Sequence, residues 1–179
     1  MRKLSLRATL SVALAMVLFF SGCAARHTGM TPKVPDLLNV PNDRKLAFAL
    51  RGVGVQIYEC KAVNNAPARF DWVFIAPEAV LLDDQARKLG KHYAGPTWEA
   101  NDHSKVVGEV LAKDKGPDPT AIPWLLLRAK AHAGIGIFSR IASVQRLNTK
   151  GGKAPAGGCT RAKIGIQVRI PYTADYYFY

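Results

Sequence analysis

Acidic residues are scarce in this chain of 179 residues. Thirteen Asp and Glu residues stand against 25 Lys and Arg residues, which gives a formal net charge of +12. Such a charge raises the question of nucleic-acid binding. No arginine-rich helix or aromatic recognition motif accompanies it, and the export signal described below argues against such a partner. The basic residues therefore indicate a solvated surface, with attraction to an anionic envelope lipid or glycan as the alternative.

Apolar runs long enough to cross a membrane as a helix are also lacking. The longest run, residues 10–20, is shorter than the roughly 20 residues that a spanning helix needs. It follows Arg2, Lys3 and Arg7, and a basic segment before a short apolar run is typical of a secretory signal. Residues 1–22 are therefore predicted to be a signal peptide.

The end of this signal predicts a lipid anchor. Phe20-Ser21-Gly22-Cys23 resembles a bacterial lipobox, in which the cysteine is acylated, although Leu is more usual than Phe20. The alternative is an ordinary signal peptidase site with Cys23 incidental. Acyl chains such as palmitate on Cys23 would hold the protein on a membrane. Because Ala24 rather than Asp follows, the resemblance to sorting signals favours an outer-membrane lipoprotein facing the periplasm.

Only three cysteines occur in the chain, and acylation of Cys23 leaves Cys60 and Cys159. In an oxidising compartment an even pair is first interpreted as a disulfide. The bond would close a loop of about 100 residues, for which the chain-entropy model gives about 4.7 kcal/mol. Two buried thiols, or a catalytic cysteine with a histidine partner, are the alternatives.

Helical periodicity is almost absent from the mature chain. Residues 23–36 are small, polar and interrupted by proline, which predicts a flexible tether of roughly 20 Å. Residues 37–179 then form a single domain in which apolar residues mostly recur with a period of two. Leu46, Phe48 and Leu50 occupy even positions, whereas Val53, Val55 and Ile57 occupy odd positions. This change of parity across Arg51-Gly52 predicts a turn or a bulge.

Further strands are predicted along the rest of the domain. Residues 70–75 are apolar on both parities, which predicts a strand covered on both faces. The other predicted strands include 106–111, 124–132, 135–141, 163–170 and an aromatic final strand at 172–179. About nine or ten strands with little helix predict an all-β domain, either a single antiparallel sandwich or a barrel. The tyrosine-rich final strand is expected to dock into a sheet.

Several motifs resemble an exported family found in bacteria and fungi, labelled domain of unknown function 3455. They are 54–60 (GVQIYEC), 92–99 (HYAGPTWE), 122–127 (IPWLLL), 144–149 (VQRLNT) with the small residues of 151–155, and the ending 172–179. The resemblance implies a compact exported domain and supplies no catalytic residues. His103 stands where this family usually has glycine, and Ala86 replaces a common turn glycine. If the backbone there has positive φ, His103 must tolerate it.

Catalytic motifs are few. The sequence contains no serine nucleophile elbow and no dinucleotide-binding glycine pattern. His92, Glu99, Asp102 and His103 are the weak candidates for metal-assisted or acid–base chemistry, with His92 and Glu99 facing one another across a hairpin. Their spacing matches no tight ligand pattern, so we predict no metal and no cofactor. The alternative is a hairpin with an Asp-initiated turn and a histidine bonded to backbone.

Aromatic residues supply the remaining candidates. Tyr58, Tyr93 and Trp98 are weak candidates for lining a ligand cleft, because flat amphipathic rings suit sugars and lipids; core packing is the alternative. The sequence thus favours a non-catalytic envelope lipoprotein that binds a ligand or partner or has a structural role. An enzyme centred on the His92–His103 hairpin is the second hypothesis.

Overall fold

The computed structural model describes residues 32–63 and 66–179, and for residues 66–68 the backbone only. The predicted signal peptide and Cys23 lie outside the described residues. Eight strands and two 3-10 helices, Asp36–Leu38 and Arg161–Lys163, form the described chain, and none of its helices is long and apolar enough to span a bilayer. The strands are β1 (Phe48–Val63), β2 (Ala66–Leu82), β3 (Lys88–Tyr93), β4 (Thr97–Ala100), β5 (Lys105–Asp114), β6 (Trp124–Ala133), β7 (Ser143–Gly151) and β8 (Gln167–Phe178).

The eight strands close into an antiparallel barrel. Each strand pairs with its neighbour in sequence, and β8 returns to pair with β1 from Phe48↔Phe178 to Glu59↔Gln167. Closure leaves the sheet without a free first or last strand. The all-β prediction is confirmed, and the fold is a barrel rather than a sandwich. The final aromatic strand is docked as expected, between β1 and β7.

One end of the barrel is closed by a connection between two of its strands. The β6–β7 connection, residues 134–142, inserts Phe138 and Ile141 into the interior, where both are buried. Phe138 meets the rings of Phe48 and Phe178 at centroid distances of 5.8 and 5.0 Å. We call this the closed end. The opposite end, where residues 94–96, 115–123 and 152–166 connect the strands, is the open end.

The predicted turn or bulge at Arg51-Gly52 is wrong. β1 runs through these residues without a register shift, so Gly52 and Gln56 follow Leu50 into the interior and Val53 faces outward. The reason is space: a Cβ added at Gly52 would stand 2.5 Å from the buried ring of Tyr176. Because a large ring fills the interior there, the strand has glycine at the inward position.

Three other strand predictions also differ from the structure. Ile135 and Ile137 lie in the connection at the closed end rather than in a strand, and Ile135 is 94% exposed. Ile164 and Ile166 precede β8 and are exposed as well. Residues 70–75 are not covered on both faces, since the side chains of 73–75 are exposed. The barrel therefore has eight strands instead of nine or ten.

Packing outside the barrel involves the segment before β1. Leu38 is fully buried against Leu126 and Leu147, and Val34 packs on the same cluster. The side-chain amide of Gln145 donates to the Leu38 carbonyl oxygen at 2.7 Å. Residues 32–36, at the end of the predicted tether, therefore run beside the barrel, and residues 23–31 lie outside the described residues.

A disulfide joins Cys60 on β1 to Cys159 in the long β7–β8 connection, with an S–S distance of 2.01 Å. This confirms the predicted bond over the two thiol alternatives. Trp72 reinforces the link by donating its indole N–H to the Gly157 carbonyl oxygen at 2.8 Å. The connection is thereby held against the far ends of β1 and β2, beside the open end.

The two positions where the resemblance suggested glycine do have positive φ. Ala86 has φ of 60° and His103 has φ of 67°. At Ala86 the turn is held by Asp83, whose carboxylate accepts from the backbone N–H of Arg87 at 2.8 Å. Non-glycine residues pay a steric cost in this region of φ, so both turns retain strain that glycine would remove.

Candidate functional site

The β3–β4 hairpin separates the predicted catalytic residues. His92 pairs with Trp98, and Lys91 pairs with Glu99. Neighbouring positions on a strand point to opposite faces, so His92 and Trp98 lie inside the barrel while Glu99 lies outside. The expectation that His92 and Glu99 face one another is therefore wrong.

His92 is buried and neutral. Its Nδ1 lies 2.9 Å from the Thr97 carbonyl oxygen, which can only accept, so Nδ1 carries the proton and Nε2 is unprotonated. The ring stacks on Trp98 with centroids 4.6 Å apart. Burial lowers the pKa of His92 to about 3. A histidine with this pKa is a weak base and is not protonated at neutral pH.

Glu99 takes part in an ion-pair cluster on the outer surface. The hydroxyl of Tyr93 donates to its Oε2 at 2.7 Å, and the Nζ atoms of Lys105 and Lys91 lie 3.2 and 3.5 Å from the same oxygen. The hydrogen bond from Tyr93, followed by the bond from Lys105, lowers the pKa of Glu99. The carboxylate is therefore held ionised by three partners around one of its oxygens.

Asp102 and His103 lie at the closed end. Asp102 accepts from the Ser104 hydroxyl at 2.6 Å and from the backbone N–H of Ile137 at 2.9 Å, and the bond from Ser104 is the main reason that its pKa is lowered. Asp102 thus joins the β4–β5 turn to the β6–β7 connection, and His103 is exposed. The four candidates do not converge. No group of three His, Cys, Asp or Glu residues in the described chain is placed to hold a metal ion.

A cavity of about 320 Å³ lies at the open end. Its walls are mostly apolar, and a smaller polar set lies among them. The lining residues are Gln56, Tyr58, Phe74, Ile75, Pro77, His92, Gly95, Pro96, Val110, Ile122, Pro123, Leu125 and Arg146. The volume falls at the lower end of the range of small-molecule sites, about 300–1,000 Å³.

The cavity exists because the β3–β4 hairpin is short. β2 pairs with β3 only from Ala79 to Leu82, and β4 pairs with β5 only from Thr97 to Glu99. Between the hairpin and the open end, no strand of the described chain lies between the remaining parts of β2 and β5. Phe74 and Val110, each 48% exposed, stand on the two sides of this gap and form an apolar rim.

The inner wall is polar. Gln56 is buried, and its Nε2 has no hydrogen-bond partner among the described residues. The Tyr58 hydroxyl donates to the Gly152 carbonyl oxygen at 2.6 Å. Arg146 donates from Nη2 and Nε to the Pro123 carbonyl oxygen at 2.8 and 3.2 Å. Next to this wall the hydroxyls of Tyr172 and Tyr176 are 3.1 Å apart.

Arg146 is the positive charge of the cavity. Arg146 is half-buried: one side of it lines the cavity, and protein surrounds its other sides. Burial lowers the pKa of its guanidinium, which still remains charged because an arginine side chain is effectively always protonated in proteins. No carboxylate of the described chain forms an ion pair with Arg146.

Of the three aromatic candidates, only Tyr58 lines the cavity. Tyr93 bonds Glu99 on the outer surface, and Trp98 is buried in the core, where its indole N–H has no partner among the described residues. Sequence reasoning missed Gln56 and Arg146. The sequence did contain a signal. Each of the two residues stands two positions from an interior residue of its strand, as Arg146 does from Val144, and so shares its face.

A second depression, of about 360 Å³, lies nearer the closed end and includes Asp83 and Asp175. Its carboxylates already have partners. Asp83 binds Arg87 at 2.7 Å, and Asp175 accepts from the Asn148 side chain at 3.0 Å. The open-end cavity, with its free donors, is therefore the stronger candidate site.

The fold and the site define a class: a small closed β-barrel with a cavity at one end. The chain belongs to the family described as protein of unknown function (DUF3455), whose family model matches residues 41–179. Comparison with curated proteins and with solved structures found no match.

Proposed function

We propose that the protein is an exported, lipid-anchored binding protein that holds a small, mostly apolar molecule in the open-end cavity. The lipobox-like Phe20-Ser21-Gly22-Cys23 supports the export and the anchor. Eight-stranded barrels are wide enough to hold one small ligand. Export and binding are separate parts of this proposal and are tested separately.

The rim and inner wall of the cavity are the observation that carries the binding proposal. Phe74 and Val110 expose apolar surface around an opening, although burying such side chains is worth about 1.5–3 kcal/mol each. Behind them, Gln56 and Arg146 present hydrogen-bond donors. An apolar wall with a few convergent polar groups is the usual composition of a ligand site.

The enzyme hypothesis lacks the arrangement it requires. Acid–base catalysis needs groups within hydrogen-bond reach of one reacting atom. His92 is inside the barrel, Glu99 lies on the outer surface among Tyr93 and two lysines, and Asp102 lies in a turn at the closed end. These placements favour a binding role for the cavity.

Blocking the cavity tests the binding part. Leu125 lines the cavity, whereas Leu111 is exposed on β5 and does not. Saturable 1:1 binding of octanoate, octanamide or octan-1-ol, measured by calorimetry, should occur in the wild type and in Leu111→Trp. It should be lost in Leu125→Trp, whose indole fills the site. Equal binding to both variants, or no binding of any probe to the wild type, would refute the proposed site.

Fractionation of cells tests the anchor. Cys23→Ala removes the sulfur that would be acylated and should release the protein from membranes, as measured by detergent phase separation. Ser21→Ala keeps a small residue before the cysteine and should leave the protein membrane-bound. Retention of Cys23→Ala in the detergent phase would contradict the lipid anchor.

A further inference from the structure

The charge of Arg146 is not balanced by the chain around it. Its Nη2 and Nε donate to the Pro123 carbonyl oxygen, and the Tyr176 hydroxyl is a second neutral partner. A guanidinium has five N–H donors, so these two neutral partners do not use all of them. Removing a charge from water costs several kcal/mol unless an opposite charge and hydrogen bonds offset the loss. An anion bound in the cavity would offset this cost.

The surrounding tyrosines do not supply that negative charge. Burial raises the pKa of Tyr58 and of Tyr172, and it raises the pKa of Tyr176 well above its ordinary value. All three hydroxyls are therefore protonated and neutral near pH 7. They act as dipoles around the guanidinium and leave its net charge unchanged.

Gln56 supplies a second donor in the same cavity. Gln56 is 2% exposed and lines the cavity; its side chain interacts with the Tyr172 hydroxyl, but its Nε2 makes no hydrogen bond of good geometry among the described residues. A buried donor without a partner costs about 1–3 kcal/mol. The inward position is maintained by β1, in which Gly52, Gln56 and Tyr58 share the interior face. The wall thus presents a cation and an unused N–H donor.

We infer that the cavity ligand carries one negative charge of the carboxylate type, bound by Arg146 with Gln56 as an additional donor, and an apolar tail toward Phe74 and Val110. This inference rests on the proposed function and names its ligand class. A guanidinium matches two carboxylate oxygens with parallel N–H bonds. The single cation of the described wall favours a monoanion over a doubly charged group.

The cavity volume sets the size of the test molecules. At about 30 Å³ for each non-hydrogen atom, taken from the volume of a water molecule in the liquid, a cavity of about 320 Å³ holds roughly ten such atoms. Octanoate has this size. Octanamide has the same number of non-hydrogen atoms and no charge, so the pair isolates the contribution of the anion.

Calorimetry on protein expressed from the full sequence and held in lipid nanodiscs, with empty discs as the blank, provides the test. Octanoate should bind the wild type at least about tenfold more tightly than octanamide, since hydrogen bonds to charged groups are worth about 1.5–3 kcal/mol. Arg146→Gln should remove this preference. Arg140→Gln, which deletes an exposed arginine, should retain it and so corrects for the overall positive charge.

The outcomes separate the two proposals. Equal binding of octanoate and octanamide to the wild type, blocked by Leu125→Trp, would overturn the anionic ligand and keep the cavity as a binding site. A preference for octanoate that survives in Arg146→Gln would overturn the role of Arg146. Binding of octan-1-ol alone would likewise overturn the anionic ligand, and failure of all three probes to bind the wild type would reject the cavity function itself. The wild-type comparison remains decisive if Arg146→Gln does not fold.

Discussion

Lowering the pH from 7 to 5 should reduce the free energy of unfolding by about 2 kcal/mol through His92 alone. The ring is buried inside the barrel, and burial lowers its pKa to about 3. In the unfolded chain a histidine has a pKa of about 6.5. Between these two values the unfolded state binds more protons than the folded state, so stability falls as the pH falls.

The magnitude follows from the width of this window. The stabilising contribution is fully present above about pH 6.5 and is lost by about 1.36 kcal/mol per pH unit below it. At pH 5 this amounts to about 2 kcal/mol. The carboxylates do not account for the loss, because Asp83, Glu99 and Asp102, whose pKa values are lowered by hydrogen bonds and nearby charges, start from about 3.9–4.3 when unfolded. Their contributions are lost mainly below pH 5.

Urea denaturation at pH 7 and pH 5, followed by tryptophan fluorescence, measures the effect. His92→Asn removes the titrating ring and keeps a side-chain N–H near the Thr97 carbonyl oxygen, so its stability should change by about 2 kcal/mol less than that of the wild type. His103→Asn, at an exposed turn, tests whether the effect is specific to the buried ring. An identical change in the wild type and in His92→Asn would refute the reasoning.

Three further predictions test the fold by the effect of substitutions on the free energy of unfolding. Replacing Cys60 and Cys159 with alanine should lower it by about 4.7 kcal/mol, because the bond closes a loop with a sequence separation of 99; a loss below about 1 kcal/mol would contradict the chain-entropy account. Ala86→Gly should raise it by about 0.5–1 kcal/mol by relieving positive φ, and no gain in urea denaturation would count against strain there. Gly52→Val should lower it by about 1–3 kcal/mol through contact with a buried tyrosine ring, whereas Gly157→Ala, where an added Cβ meets nothing within 4 Å, should change it little.

The sequence was sufficient for the class of fold and for the disulfide. Alternating apolar residues predict strands because the side-chain period is two whatever the tertiary context. Cys60 and Cys159 could be paired because only two cysteines remain after the lipobox. Closure into a barrel could not be read from the same pattern, since sandwich strands alternate in the same way. It depends on the pairing of β8 with β1, which lie at the two ends of the domain.

Sequence reasoning failed to predict which residues of β1 face the barrel interior. Val53 and Val55 look like interior residues beside Gly52, yet Val53 faces outward and Gly52 faces the ring of Tyr176. The interior of a small barrel has a fixed width, so a large ring on one strand requires a small residue on the neighbouring strand over which it lies. The apolar pattern of β1 alone does not contain this information, because the ring belongs to β8.

The same reasoning explains why the candidate site was found only in part. A period-two pattern locates interior positions by their hydrophobicity, which assumes a dry interior. Around the cavity this assumption does not hold, because Gln56 and Arg146 point inward while Phe74 and Val110 expose apolar surface at the rim. Polar residues in interior phase and apolar residues exposed beside a gap are both costly without a ligand. Both kinds of residue line the same cavity. A molecule with a charged head and an apolar tail would therefore offset both costs at once.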